Sequence, residues 1–186
     1  MSNVEVVLVS GMSGAGKSTA MAVFENMGYY CIDNYPVALL EEFGDYLIDE
    51  TLGSKIAMGI SLGDALQAIR ELSNMDWIKL TIVFLDCDNS EILKRYKQTR
   101  RSHPMMIMNK ANTLYDSIEL ERHEFEQIKT QADLVIDTTL LKRTALQDRL
   151  EASFYYETGE TFRVSFVSFG DYLIDETLGS KIAMGI

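Results

Sequence analysis

The chain has 186 residues, 47% hydrophobic and 24% charged, with only two prolines and a net charge of −11. That composition suits one globular α/β domain with its own core and excludes a disordered segment. The acidic balance argues against broad, non-specific nucleic-acid binding, and no apolar run is long enough to span a bilayer. No membrane association is expected, and the N-terminus lacks a signal-peptide pattern. Cys31 and Cys87 fall inside predicted strands without metal-ligand spacing, as reduced thiols of a cytoplasmic protein would.

In chain order, Val4 to Val9 is a continuous apolar run, the pattern of a buried parallel strand. It runs into Ser10 to Thr19, SGMSGAGKST, which fits G-x-x-x-x-G-K-[ST]. Ala20, Val23, Phe24 and Met27 then repeat at helical spacing, and Gly28 is placed to cap that helix. Tyr29 to Ile32 reads as a second strand closing at Asp33-Asn34, which makes a βαβ unit and a parallel sheet. Leu39 to Leu47 reads as an amphipathic helix and Lys55 to Ile60 as a strand. Leu62, Leu66, Ile69 and Leu72 mark the face of the next helix. Leu80 to Leu85 is a strand ending in Asp86, and Ser90 can cap a helix carrying Ile92, Leu93 and Tyr96. Leu114 to Thr130 predicts an acidic helix with Leu114, Ile118, Phe125 and Ile128 as its buried stripe. A short strand to Asp137, a helix carrying Leu146 and Leu150, and an alternating strand around Phe162 to Phe166 follow.

Residues 43–60 recur without a change as residues 169–186. Solenoid repeats diverge and recur at short periods, whereas this single copy does neither. The two copies join their surroundings at the same Phe-Gly dipeptide. The domain is therefore expected over 1–170, with 171–186 a foreign tail; an added strand at a sheet edge is the alternative.

The phosphate-loop pattern carries the chemistry. Gly11, Met12, Ser13, Gly14, Ala15, Gly16, Lys17 and Ser18 would wrap the phosphates of a nucleoside triphosphate with backbone N–H groups, helped by the following helix dipole. Lys17 would reach the β- and γ-phosphates, and Ser18 would ligate Mg²⁺. Asp86, at the end of an apolar strand, is the candidate carboxylate that would hold the Mg²⁺ through its water shell. Asp33, at the carboxyl end of the second strand, could orient water, act as a base toward an acceptor hydroxyl, or simply satisfy its own turn. No acid occurs between Glu91 and Asp116, while Lys94, Arg95, Lys97, Arg100, Arg101 and Lys110 do. A lid over about 98–116 would bring Arg100 and Arg101, with Arg95 joining them, over the γ-phosphate; a solvated basic face is the plain alternative. His103 is a candidate phosphate contact and His123 an exposed helix residue. Met105 to Met108 reads as packing.

GMSGAGKS, YYCIDNYP, QTRRSHP, ADLVIDTT and SFVSFG, in that order, resemble the RapZ/YvcJ family of nucleotide-binding proteins over residues 4 to 170. The resemblance implies a three-layer, kinase-like P-loop NTPase domain with a mostly parallel central sheet, binding ATP and GTP with Mg²⁺ and hydrolysing them weakly. It also implies a separate carboxyl-terminal domain associated with RNA and amino-sugar-phosphate sensing. Here the duplicate follows SFG instead, so a protein or RNA partner reached through that domain is not assigned to this chain. The family's D-x-R-[GN] motif, linked to GTP, is replaced by Ser61-Leu62-Gly63-Asp64. The expected function is thus a regulatory ATP- or GTP-binding domain with slow turnover. A small-molecule kinase using Asp33 and a nucleotide-gated adapter without turnover are the alternatives, and a homo-oligomer is left open.

Overall fold

Five apolar runs, each closed by a polar turn, become one parallel sheet. The protein is described from a computed structural model over residues 4–40, 55–60, 62–99, 101–155, 172–173 and 184–185. The sheet strands are β1 (Val4–Gly11), β2 (Tyr30–Asp33), β3 (Lys55–Gly59), β4 (Ile78–Asp86) and β5 (Leu134–Asp137), in the order β2-β3-β1-β4-β5. Every pairing is parallel. Val6, Val7, Leu8 and Val9 of central β1 are all fully buried, so both faces of that strand are covered. This is why β1 reads as an unbroken apolar run rather than an alternating one.

The flanking helices are α1 (Lys17–Asn26), α2 (Leu62–Ser73), α3 (Asn89–Gln98), a single turn α4 (Pro104–Ile107), α5 (Leu114–Gln131) and α6 (Arg143–Tyr155). Phe24 on α1 meets Tyr29 edge-on at 5.2 Å between ring centroids. Phe84 on β4 meets Phe125 on α5 in the same manner at 5.5 Å. The expected α/β class and parallel sheet are therefore present, and α1 ends as expected, with Gly28 at φ +85°.

Three local expectations are corrected. The buried side of α2 is Ala65, Ala68, Ile69 and Leu72, with Leu66 only half-buried, because small alanines allow the helix to lie closer to its neighbours than leucines would. Asp88, not Ser90, is the N-cap of α3. The buried stripe of α5 includes Ser117 and Glu121 beside Ile118, Phe125 and Ile128. Of the expected Leu39 to Leu47 helix, Val37–Leu39 is a 3₁₀ turn, and residues 41–54 lie outside the described residues, as does the strand expected around 162–166.

The chain divides into two compact units, 1–151 and 152–186. In the second, β6 (Tyr172–Leu173) and β7 (Met184–Gly185) pair antiparallel with each other.

The turn out of β1 leaves no room for a side chain at Gly11. Gly11 has φ +142°, and a Cβ there would stand 2.2 Å from the Leu85 carbonyl oxygen. Gly28 shares a positive φ but has open space around it. Gly11→Ala should therefore cost about 2–4 kcal/mol in chemical denaturation, against about 1 kcal/mol for Gly28→Ala.

Candidate functional site

The loop after β1 is held open by its surroundings. Met12 N–H donates to Leu85 O at 3.0 Å and Ala15 N–H to Met12 O at 2.9 Å, which fold the loop back on itself. Gly14 and Gly16 have φ of +89° and +110°, and α1 begins at Lys17. The N–H groups of Gly14, Gly16, Lys17 and Ser18 meet no protein acceptor among the described residues. Four donors converge at a helix N-terminus, which is the physical definition of an anion site. Met12 and Ala15 are buried beneath the loop, and Ser18 is exposed.

Lys17 donates to Gly11 O at 2.6 Å and lies 5.8 Å from the centre of the Phe125 ring. Burial lowers its pKa below the ordinary lysine value, against the opposing charges of Glu121 and Asp33. Asp33 is exposed at the carboxyl end of β2, and its charge is one of the two that oppose the lowering of the Lys17 pKa. The Asn34 N–H donates to Gly59 O at 2.9 Å, so the turn after β2 is anchored on β3 and Asp33 is not needed to hold it.

Two expected phosphate contacts have other partners. Arg95 gives its guanidinium to Gly14 O at 3.0 Å, Thr138 O at 2.7 Å and Glu91 at 3.3 Å, so it clasps the loop to the end of β5. Thr138 Oγ1 is itself 2.9 Å from Ala15 O. His103 is fully buried: its Nδ1 accepts the Met105 N–H at 3.3 Å and its Nε2 stands 3.4 Å from Glu121. It is an internal residue at the N-cap of α4, not a surface contact for phosphate. Met105 packs as expected, while Ile107 and Met108 are exposed, as is His123.

Arg101 is exposed and, with Gly14 and Gly16, lines a cleft of about 490 Å³ beside the loop. Lys142 and Arg143, which the sequence reading did not single out, line it from the segment after β5. Arg100 lies outside the described residues. The side of the loop facing this cleft is strongly cationic, although the chain as a whole is acidic.

Asp86 closes β4 with both carboxylate oxygens engaged. Oδ1 accepts from Arg122 at 2.9 Å and from the Cys87 N–H at 2.7 Å, and Oδ2 accepts from Lys129 at 2.6 Å. Burial works to raise its pKa, but the Lys129 and Arg122 hydrogen bonds outweigh that and hold it below the ordinary aspartate value. Three of its acceptor sites are thus taken, and one on Oδ2 is left that a metal-bound water could use. Among the described residues no group of three His, Cys, Asp or Glu side chains could hold a metal by itself. Mg²⁺ does not need one, because it keeps waters and takes phosphate oxygens as ligands, so the exposed Ser18 hydroxyl at the start of α1 fits it.

Sequence reasoning missed Glu121. Its side chain is almost fully buried, with Oε2 accepting the Ser13 N–H at 2.9 Å and Oε1 the Ser13 hydroxyl at 2.5 Å. The available signal was an acid at the apolar spacing of α5, between Ile118 and Phe125. Arg122, tied to Asp86, Asn89 and Cys87 O, was missed for the same reason.

A strand–loop–helix anion site at the end of the central strand of a parallel sheet defines a P-loop protein of kinase-like topology. The chain belongs to the RapZ-like N-terminal domain family, whose sequence model matches residues 4–158. A nucleotide-binding protein of Lactiplantibacillus plantarum is 36% identical over 90% of this chain, and one of Shouchella clausii is 41% identical over 91%. The chain spans about 58–59% of the length of these relatives. Among solved structures, shikimate kinase from Acinetobacter baumannii, in complex with shikimate, matches with a TM-score of 0.57 at 14% identity, covering 84% of this chain and 96% of that one. Shikimate kinase from Bacteroides thetaiotaomicron matches at 0.54 and 15%, covering 83% and 98%. At such identities the likeness is one of fold. No described helix is long and apolar enough to cross a membrane.

The Asp86 cluster sets an acid limb. A carboxylate whose folded pKa lies below its ordinary value stabilises fully above that ordinary value, near 3.8, and less as pH falls through the folded value. Asp86→Asn should therefore lower the urea midpoint at neutral pH, and the gap to wild type should narrow as the pH falls below about 3.8.

Proposed function

We propose that this domain binds Mg²⁺ with ATP or GTP and hydrolyses it slowly, as the nucleotide-responsive part of a regulatory protein. The observation that carries this reading is the set of unmatched N–H groups at Gly14, Gly16, Lys17 and Ser18, with the Lys17 ammonium beside them. Phosphates would take these donors, and Lys17 would exchange the Gly11 carbonyl for β- and γ-oxygens. Ser18 would hold the metal, which supplies charge neutralisation when bound. The Arg101, Lys142 and Arg143 side of the cleft would neutralise the remaining nucleotide charge. With Arg95 committed to the loop, Arg101 is the described lid arginine left to face the transferred group, and Arg100 would join it. Asp33 is the exposed carboxylate acting on Lys17, and it would orient the attacking water. A protein or RNA partner would be met through the part of the longer relatives that this chain does not span.

The position of Asp33 also favours a second reading, transfer to an acceptor hydroxyl, with Asp33 taking its proton. The two readings separate by experiment. Slow phosphate release without an acceptor, lost with Lys17→Ala together with nucleotide binding, supports hydrolysis. Asp33→Asn should lower turnover about 100-fold while nucleotide affinity stays near wild type. ADP formation that appears only when an acceptor is added would replace hydrolysis by the kinase reading, and binding without turnover would leave a nucleotide-gated adapter.

A further inference from the structure

An ionised carboxylate inside an apolar helix face costs several kcal/mol unless donors and charge are matched to it. Glu121 occupies such a place, between Ile118 and Phe125 on the buried side of α5. Burial works to raise its pKa, yet the contacts from His103 and Ser13 and the charge of Lys17 hold it below the ordinary glutamate range. The groups facing it come from four segments: Ser13 from the loop, Lys17 from α1, Tyr96 from α3 and His103 from the N-cap of α4. His103 Nδ1 accepts the Met105 N–H, and its Nε2 stands 3.4 Å from Glu121.

The carboxylate lies behind the loop, almost without solvent exposure, so it does not itself meet a ligand. What it fixes is Ser13, by both of that residue's donors. The next residue, Gly14, is gripped from the other side, where Arg95 takes its carbonyl. The Ser13–Gly14 peptide is thereby held at both flanks, and Gly14 contributes one of the open N–H groups. We infer that Glu121 is a positioning residue for phosphate binding. It pre-orders the apex of the loop through both donors of Ser13. This rests on the nucleotide reading above. Ordering a binding loop in advance raises affinity because the ligand need not supply the ordering.

The experiment is a double-mutant cycle on the full chain, read by titration with a fluorescent ATP analogue and Mg²⁺. Glu121→Gln keeps the shape but turns an amide N–H toward one of the two Ser13 donors, and should raise Kd about tenfold or more. Ser13→Ala, which removes one donor from an already half-buried loop residue, should raise Kd about threefold or more. The double variant should bind no worse than Glu121→Gln alone, within about twofold, since both changes break one interaction. Leu72→Ala, destabilised in the core away from the loop, should keep the wild-type Kd, which separates positioning from general loss of stability. Wild-type affinity in folded Glu121→Gln, or losses that multiply in the double variant, would overturn the inference while leaving nucleotide binding intact. If Glu121→Gln does not fold, an unchanged Kd in Ser13→Ala overturns it just the same. Wild-type protein that binds neither ATP nor GTP would overturn the nucleotide reading and this inference together.

Discussion

A loop that keeps several N–H groups open toward an anion must be fixed by every other polar group it owns. That constraint explains most of the polar chemistry around Gly11 to Ser18. Leu85 O takes the Met12 N–H, Glu121 takes both donors of Ser13, Arg95 takes Gly14 O, and Thr138 lies against Ala15 O. Lys17 occupies Gly11 O. The loop is thus braced from β4, α3, α5 and the turn after β5, all elements of the same sheet layer system. Gly14 and Ser18 are exposed and Gly16 and Lys17 part-exposed, so these unmatched donors face outward at a helix N-terminus, where an anion can reach them.

The same bracing divides the basic residues into two kinds. Arg95, Arg122 and Lys129 are held by carboxylates and carbonyls of the fold. Arg101, Lys142 and Arg143 stand at the cleft, which the bound Arg95 also lines with its partner Glu91. A count of basic residues between Glu91 and Asp116 cannot make that division, because Glu91 is one turn from Arg95 and reaches it at 3.3 Å. Asp86 illustrates the converse. Its place at the end of an apolar strand was legible, whereas the two cations that α5 supplies to it come from residues far along the chain.

What was legible in the chain were features with a short period or a fixed spacing. β1, α1, β2 and β4 fell where apolar runs and helical repeats put them, and the glycines of the loop adopt the positive φ that their pattern demands. The misses involve contacts across long separations. Ser13 and Glu121 are 108 positions apart, so nothing local ties them. The single local trace was an acid in an apolar stripe, and a helix can equally place an acid at the edge of its wet face. In the α2 stripe Ile69 and Leu72 are buried as expected, but Ala65 and Ala68 were passed over for Leu66 because leucine outweighs alanine in any hydrophobic count, while close helix packing favours the smaller side chain.

The sequence by itself determined the phosphate loop, the parallel βαβ start and the family, since glycine spacing and apolar periodicity act within about thirty residues. Tertiary structure decided which charges serve the fold and which face the cleft. The duplicated segment makes the limit concrete. Lys55–Gly59 lies between β1 and β2 in a parallel sheet, whereas in the second copy of the same sequence Met184–Gly185 pairs antiparallel with Tyr172–Leu173. Identical residues take different partners because strand pairing is set by the neighbours available to the backbone, and those are supplied by the rest of the chain.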